Sequence, residues 1–176
     1  MLFSAESIWT MIHGIVFGGG ALMALAAALF SLGVLSPAPG EAVPPRQSRL
    51  LANLNVAIAV LLWLTVLGGT YIVCPPYRVA PPEGVMELSQ YPRYFLLDNP
   101  NTAWLHAFGM EAKEHVPWIA AMLSTATAVV SFRHRSELLS KPRIRRIVTT
   151  LTAITFVLVS YVAILGVFVN KVAPVE

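Results

Sequence analysis

Three of the four histidines have positions that suit a cofactor. His13 lies near the start of the first long apolar segment, and His106 and His115 flank the start of the third. Neutral imidazoles on two different helices are the usual axial ligands of a b-type haem within a membrane. We therefore predict that His13 and His115 are the metal ligands of one haem b. The fourth histidine, His134, lies between two arginines and is expected to be solvated.

His106 is the alternative in this pairing. It precedes His115 by about half a turn more than two whole turns of a straight helix, so the two cannot serve one iron from one helix. We assign His106 as a substitute ligand or as part of a quinone pocket. Gly20 would leave space beside the first ligand for the edge of a macrocycle, and Trp118 and Met122 would form an apolar wall beside the second. A histidine in a membrane helix can also be a packing residue, and that interpretation stays open.

Two carboxylates accompany the second predicted ligand. Glu111 and His115 are neighbours on one helix face at a spacing of four residues, and Glu114 directly precedes the histidine. A metal site of their own would need further ligands from neighbouring helices, which offer no similar pair. We predict that Glu111 and Glu114 orient the imidazole or take protons from a quinol. The alternative is a solvated cluster of charges at the membrane interface.

The elements that must position these residues follow from composition. The chain has 176 residues, of which 56% are apolar and only 12% charged, far from the soluble average. Four nearly uncharged segments, 8–35, 50–74, 115–132 and 147–169, are each long enough to cross a hydrocarbon core of about 30 Å. Such segments must be helical, because lipid leaves no partner for an unpaired amide. The sequence predicts an all-α bundle of four transmembrane helices in one membrane domain, 1–176.

A long loop, 75–114, separates the second and third predicted helices. It is rich in proline and aromatic residues, and it is too long for a passive hairpin. We predict that it is ordered on the outer side, with amphipathic turns within 86–97, a turn at 99–102 and a short helix over 103–114. Pro117 predicts a kink or break between this helix and the third span, around 113–116.

Charge predicts the orientation. The loops between helices one and two and between helices three and four hold eight basic residues against Glu41 and Glu137, a net charge of +6. The other side holds four basic residues against seven acidic ones, a net charge of −3. Since basic loops stay in the cytoplasm, we predict a multi-pass protein of the bacterial inner membrane with both termini outside. Contact with anionic lipid explains the basic loops, so no nucleic acid is expected as a partner.

Other chemistry finds little support in the sequence. It contains no phosphate-binding loop and no nucleophile with an adjacent base, so we assign no catalytic residue. The single cysteine, Cys74, excludes an internal disulfide, and its simplest interpretation is a small apolar residue at a helix end. No histidine lies in the cytoplasmic half of any predicted helix, so this chain alone cannot carry electrons across the membrane. At most it is a non-catalytic or quinone-reactive subunit of an oxidoreductase.

As a pattern, the chain resembles small membrane cytochrome b subunits of respiratory or photosynthetic complexes. The resemblance rests on four helices, on His13, His106 and His115 in one layer near one surface, and on a structured outer loop. It implies haem b, contact with a quinone, and neighbouring membrane subunits as partners. The acidic outer side would also attract a basic periplasmic carrier such as a cytochrome c. Members of these families often bind two haems through two histidine pairs, whereas this layer holds three histidines.

Two other functions stay open. The chain could be a structural or assembly subunit without a cofactor, held in a larger complex by the small residues of its first helix. It could also be a pigment-binding subunit in which histidines hold the magnesium of chlorophyll. The visible spectrum of the purified complex separates the three possibilities.

Overall fold

The fold is a bundle of helices. A computed structural model describes residues 4–35 and 44–174, and every regular element in those ranges is helical. Within the described ranges, four helices are long and apolar enough to cross a membrane, which confirms the predicted four-helix bundle and indicates a multi-pass membrane protein in contact with lipid. The helices are α1 (Ala5–Val34), α2 (Pro45–Tyr77), α3 (Pro92–Asp98), α4 (Leu105–Arg133) and α5 (Pro142–Val172).

The four spanning helices alternate in direction. α2 packs between α1 and α4, and α5 packs between α4 and α1, so α1 and α4 lie on one diagonal of the bundle. Asn55 of α2 meets Ser131 of α4 toward one end, and Gly69 of α2 meets His13 of α1 toward the other. We call the end where α1 and α4 begin the acidic end, and the end where α2 and α5 begin the basic end.

Local sequence explains where the helices begin. The hydroxyl of Ser4 accepts a hydrogen bond from the amide of Ser7 at 3.0 Å and caps α1. Pro45, Pro92 and Pro142 are the first residues of α2, α3 and α5. Proline suits this position because its fixed φ is helical and the first amide of a helix has no partner within the helix.

The third spanning helix differs most from its prediction. It begins at Leu105 and continues unbroken through Pro117, so 103–114 does not form a separate helix before the span. Membrane helices tolerate proline where neighbouring groups and local changes of helix geometry satisfy the freed carbonyl. The helix is longer than the predicted span of 115–132, because hydropathy marks only the part of a helix that is suited to hydrocarbon. α2 and α5 also continue past their predicted spans, to Tyr77 and Val172.

Three of the spanning helices contain π-helical segments, all toward the acidic end. They are Ile12–Gly19 of α1, Gly69–Val73 of α2 and Leu105–Met110 of α4. A π-helical turn contains an extra residue and therefore rotates the faces of the helix that follow it. Such turns are rare and often occur at functional sites. Two of the predicted site histidines, His13 and His106, lie within these segments.

The interior of the bundle mixes apolar and polar side chains. Ala21, Leu25 and Ala28 of α1 are almost fully buried at helical spacing. Between α2 and α4, Nδ2 of Asn55 donates a hydrogen bond to Oγ of Ser131 at 2.9 Å. Other buried hydroxyl side chains are Ser48, Ser124, Thr127, Thr152 and Thr155.

The loop between α2 and α4 covers part of the acidic end, as predicted for an ordered loop. Leu96 of α3 is fully buried against Tyr77, Leu105 and Val169. Between α2 and α4 the helical structure is α3, Pro92–Asp98, about two turns that overlap the region 86–97 where amphipathic turns were predicted. Its first turn starts at a proline, and the residues from 78 to 91 are not helical.

The turn predicted at 99–102 is present. Oδ1 of Asn99 accepts a hydrogen bond from the amide of Asn101 at 2.9 Å. The hydroxyl of Thr102 donates a hydrogen bond to the carbonyl of Leu96 at 2.9 Å, so it gives a partner to a carbonyl in the last turn of α3. The turn thereby joins α3 to the start of α4 and holds the loop against the bundle.

Candidate functional site

His13 packs closely against α2. A Cβ atom added to Gly69 would lie 2.7 Å from Cε1 of His13 and 3.3 Å from its Nε2, so the imidazole occupies the space that a side chain at 69 would need. Nδ1 of His13 is buried and has no hydrogen-bond partner among the described residues. The ring also interacts with the backbone of Thr65. His13 therefore faces α2, next to the π-helical segment that begins at Gly69.

Lys113 is a site residue that the sequence analysis did not identify. Its Nζ and Cε lie 3.6 Å from the position of a Cβ at Gly166, so the side chain runs between α4 and α5. The Lys113 side chain also interacts electrostatically with His13 and with Glu114. Lys113 precedes the buried Ala120 by seven residues, which places it on the inner face of α4. That spacing was the available signal, and it was obscured by the predicted break before Pro117.

Glu114 connects α4 to the end of α2. Its Oε1 accepts a hydrogen bond from Sγ of Cys74 at 3.7 Å, and its Oε2 forms a short ion pair with Arg78. The hydrogen bond to Glu114 raises the pKa of the Arg78 guanidinium above its ordinary value. Cys74 thus contributes a polar contact, where the sequence suggested only a small apolar residue. We call His13, Cys74, Arg78, Lys113 and Glu114 the acidic-end cluster.

His106 lies beside this cluster with a different partner. Its Nδ1 forms a hydrogen bond with the hydroxyl of Tyr77 at 2.9 Å, and the two rings are 6.0 Å apart. Tyr77 is only 3% exposed, so its hydroxyl is satisfied within the protein. The pair ties the end of α2 to the start of α4. Sequence reasoning could not identify Tyr77, because its contact with His106 depends on the packing of the two helices.

His115 has the geometry of an available ligand. Its Nδ1 donates a hydrogen bond to the carbonyl of Glu111 at 2.8 Å, and its side chain is 74% exposed. A carboxylate oxygen of Glu111 lies 3.9 Å from the same nitrogen. A neutral histidine held through Nδ1 by a backbone carbonyl keeps Nε2 free to bind a metal or to accept a hydrogen bond. Nε2 of His115 is thus available at the surface of α4.

The predicted lining residues have identifiable neighbours in the bundle. Gly20 faces Leu61 of α2, and Trp118 packs edge to face with Trp63 at 5.8 Å between ring centroids. Met122 is 56% exposed on α4. The π-helical segment Ile12–Gly19 rotates α1, so the faces inferred from regular helix geometry do not apply after His13. His13 faces α2 while His115 is exposed, and the pairing of these two histidines stays a prediction.

The cavity inside the bundle is small. Its volume is about 10 Å³, and hydroxyl groups of Ser124, Thr127 and Thr155 line it together with Asn55. Oδ1 of Asn55 is buried without a hydrogen-bond partner in the described ranges. A space of this size holds about one water molecule. Within residues 4–35 and 44–174, no group of three His, Cys, Asp or Glu side chains is arranged to hold a metal ion.

No family model, no curated protein and no solved structure matches this chain. The case for a function therefore rests on the geometry of the acidic end.

Proposed function

We propose that this chain is a membrane subunit of an electron-transfer complex, with its redox surface at the acidic end. The observation that carries the proposal is the geometry of His115, which is anchored through Nδ1 to Glu111 and exposed on its other side. Ionisable residues near membrane depth are costly and usually line functional sites. Here, His115 is adjacent in sequence to Glu114 of the acidic-end cluster, which draws on three helices.

A haem b is the first candidate for the redox group. His115 suits an axial ligand, because the Glu111 carbonyl fixes the tautomer that leaves Nε2 free. A bound haem would supply one-electron chemistry at this surface. His13 fits less well, since its ring lies against Gly69 and would have to move to reach an iron. The geometry therefore favours His115 over His13 as an iron ligand.

A quinol is the second candidate for contact with this surface. Its oxidation releases two electrons and two protons, so the site needs a proton acceptor and an electron acceptor. The carboxylate of Glu111 is exposed and can take a proton to the aqueous side, and the exposed imidazole of His115 can do so when its Nε2 holds no iron. Electrons would pass to a haem or to a docked carrier such as a periplasmic cytochrome c, which the negative charge of this end would attract.

The orientation belongs to the same proposal. With the basic end in the cytoplasm of a bacterial cell, the acidic-end cluster would face the periplasm. Neighbouring membrane subunits would supply any redox centre needed on the cytoplasmic side, because this chain has no histidine in that half of its spans.

A structural subunit without a cofactor is the competing function. Close packing favours it, because His13 fills the space beside Gly69 and the interior cavity has room for only about one water molecule. A colourless purified complex would select this alternative, and absorption in the far red would select a pigment-binding subunit. A Soret band that shifts when dithionite is added would support the electron-transfer subunit.

A further inference from the structure

A surface groove runs between α2 and α4 toward the basic end. It has a volume of about 580 Å³, and it lies on the outside of the bundle, away from the acidic-end cluster. The groove ends at Arg133, the last residue of α4. Its lining residues are Val56, Thr125, Ala128, Val129, Phe132 and Arg133.

The floor and walls of the groove suit a hydrocarbon chain. The hydroxyl of Thr125 accepts a hydrogen bond from Nε1 of Trp63 at 2.9 Å and donates one to the carbonyl of Ala121. It therefore offers no unsatisfied polar group to a ligand. Ala128 is short and lies between the longer side chains of Thr125 and Phe132, about one turn away on either side, which opens the groove.

The mouth of the groove is positively charged. Arg133 lines it, and the guanidinium of Arg135 lies over the ring of Phe132 at 5.0 Å from the centroid. Arg49 precedes Val56 of α2 by seven residues, so it lies on the groove side of α2 near the basic end. Within the described ranges, Arg133 and Arg135 form no ion pair, and Glu137 is paired with Lys141 at 2.6 Å.

We propose that this groove is a binding site for an anionic phospholipid, with one acyl chain between α2 and α4 and the phosphate at Arg133 and Arg135. Guanidinium groups bind phosphate oxygens in pairs of hydrogen bonds. The apolar groove would accept the chain of any phospholipid, whereas the unpaired positive charges at its mouth favour one with a net negative headgroup. The site is independent of the redox surface, since it lies at the opposite end of the bundle.

Native mass spectrometry of the purified full chain tests this proposal. The protein is mixed with phosphatidylglycerol or with phosphatidylcholine of the same acyl chains. We expect the first bound adduct to be favoured about fivefold or more for phosphatidylglycerol, as one or two arginine contacts would give. The Arg133→Ala/Arg135→Ala variant should lose this preference. Arg143→Ala/Arg146→Ala is the matched control, because it removes the same charge at the same end from exposed positions of α5, and it should keep the preference.

A third variant tests the chain-binding part of the groove. Val129 is 61% exposed, so Val129→Trp can fill the groove without entering the core. It should lower binding of both lipids, with gel filtration and circular dichroism as checks on folding. Equal retention of the two lipids by the unchanged protein would overturn the proposal. Equal loss in both double-arginine variants would also overturn it, because the preference would then reflect the charge of the whole basic end.

Discussion

The imidazole of His13 fills the space beside Gly69, so α1 and α2 approach each other through a histidine and a glycine. A Cβ at 69 would be 2.7 Å from Cε1 of His13, which is closer than real Cβ contacts. The neighbouring Gly68 has nothing within 4 Å of the same position. Two adjacent glycines therefore differ in function: Gly69 accommodates His13, and Gly68 faces open space.

The first prediction follows from this difference. Gly69→Ala should lower the free energy of unfolding by about 1–3 kcal/mol, because the imidazole or the backbone must shift. Gly68→Ala is the control and should be neutral or stabilising by about 0.5–1 kcal/mol, as alanine is the better helix former. Unfolding of the solubilised protein, followed by tryptophan fluorescence, measures both. In the His13→Ala background the cost of Gly69→Ala should largely disappear, and an unchanged cost would contradict the packing described here.

The second prediction concerns the hydrogen bond between α2 and α4 inside the bundle. Asn55→Ala and Ser131→Ala should each lower the free energy of unfolding, with a coupling energy of about 0.6–1.7 kcal/mol in the double-mutant cycle. The bond joins two side chains that are at most 2% exposed. Ser140→Ala, at an exposed position, is the control and should have little effect. Additive effects of the two alanines would mean that the bond is not formed.

The third prediction tests the orientation in the membrane. Cys74 contacts Glu114 and is partly buried, so it is a poor labelling site. In a Cys74→Ser background, a cysteine at Glu83 should react with an impermeant thiol reagent added to intact cells, and one at Ser140 should react only after lysis. Both positions are exposed, so accessibility alone does not separate them. The reverse pattern would place the acidic end in the cytoplasm.

Much of the fold could be predicted from the sequence, because hydropathy identifies segments that lipid forces to be helical. The continuity of α4 was harder to predict, since the helix runs from Leu105 past Pro117 through charged residues that interrupt its apolar character. Thr102 illustrates the same limit. It does lie just before α4, but its hydroxyl donates to the carbonyl of Leu96 and does not cap the helix.

The site was less predictable, for a geometric reason. The position of His13 near the start of α1 predicts its depth, but its direction depends on the rotation of the helix, which the π-helical segment Ile12–Gly19 changes. His13 and Gly20 both face α2, next to Gly69 and Leu61 respectively, so the place of Gly20 beside a cofactor stays a prediction. Lys113 was missed because its inward direction becomes evident only when α4 is continuous with the buried Ala120.

The fourth prediction concerns the function itself, and the visible spectrum of the purified complex tests it most directly. We predict a Soret band that shifts on addition of dithionite, and loss of the six-coordinate signal in His115→Ala without loss of assembly. His106→Ala should keep the signal, because its imidazole is bonded to Tyr77. His13→Ala decides whether the pair predicted from the sequence is correct: a lost signal supports it, and a retained signal leaves His115 as the ligand from this chain. A complex without visible absorption, or one whose haem spectrum is unchanged in His115→Ala, would contradict the account.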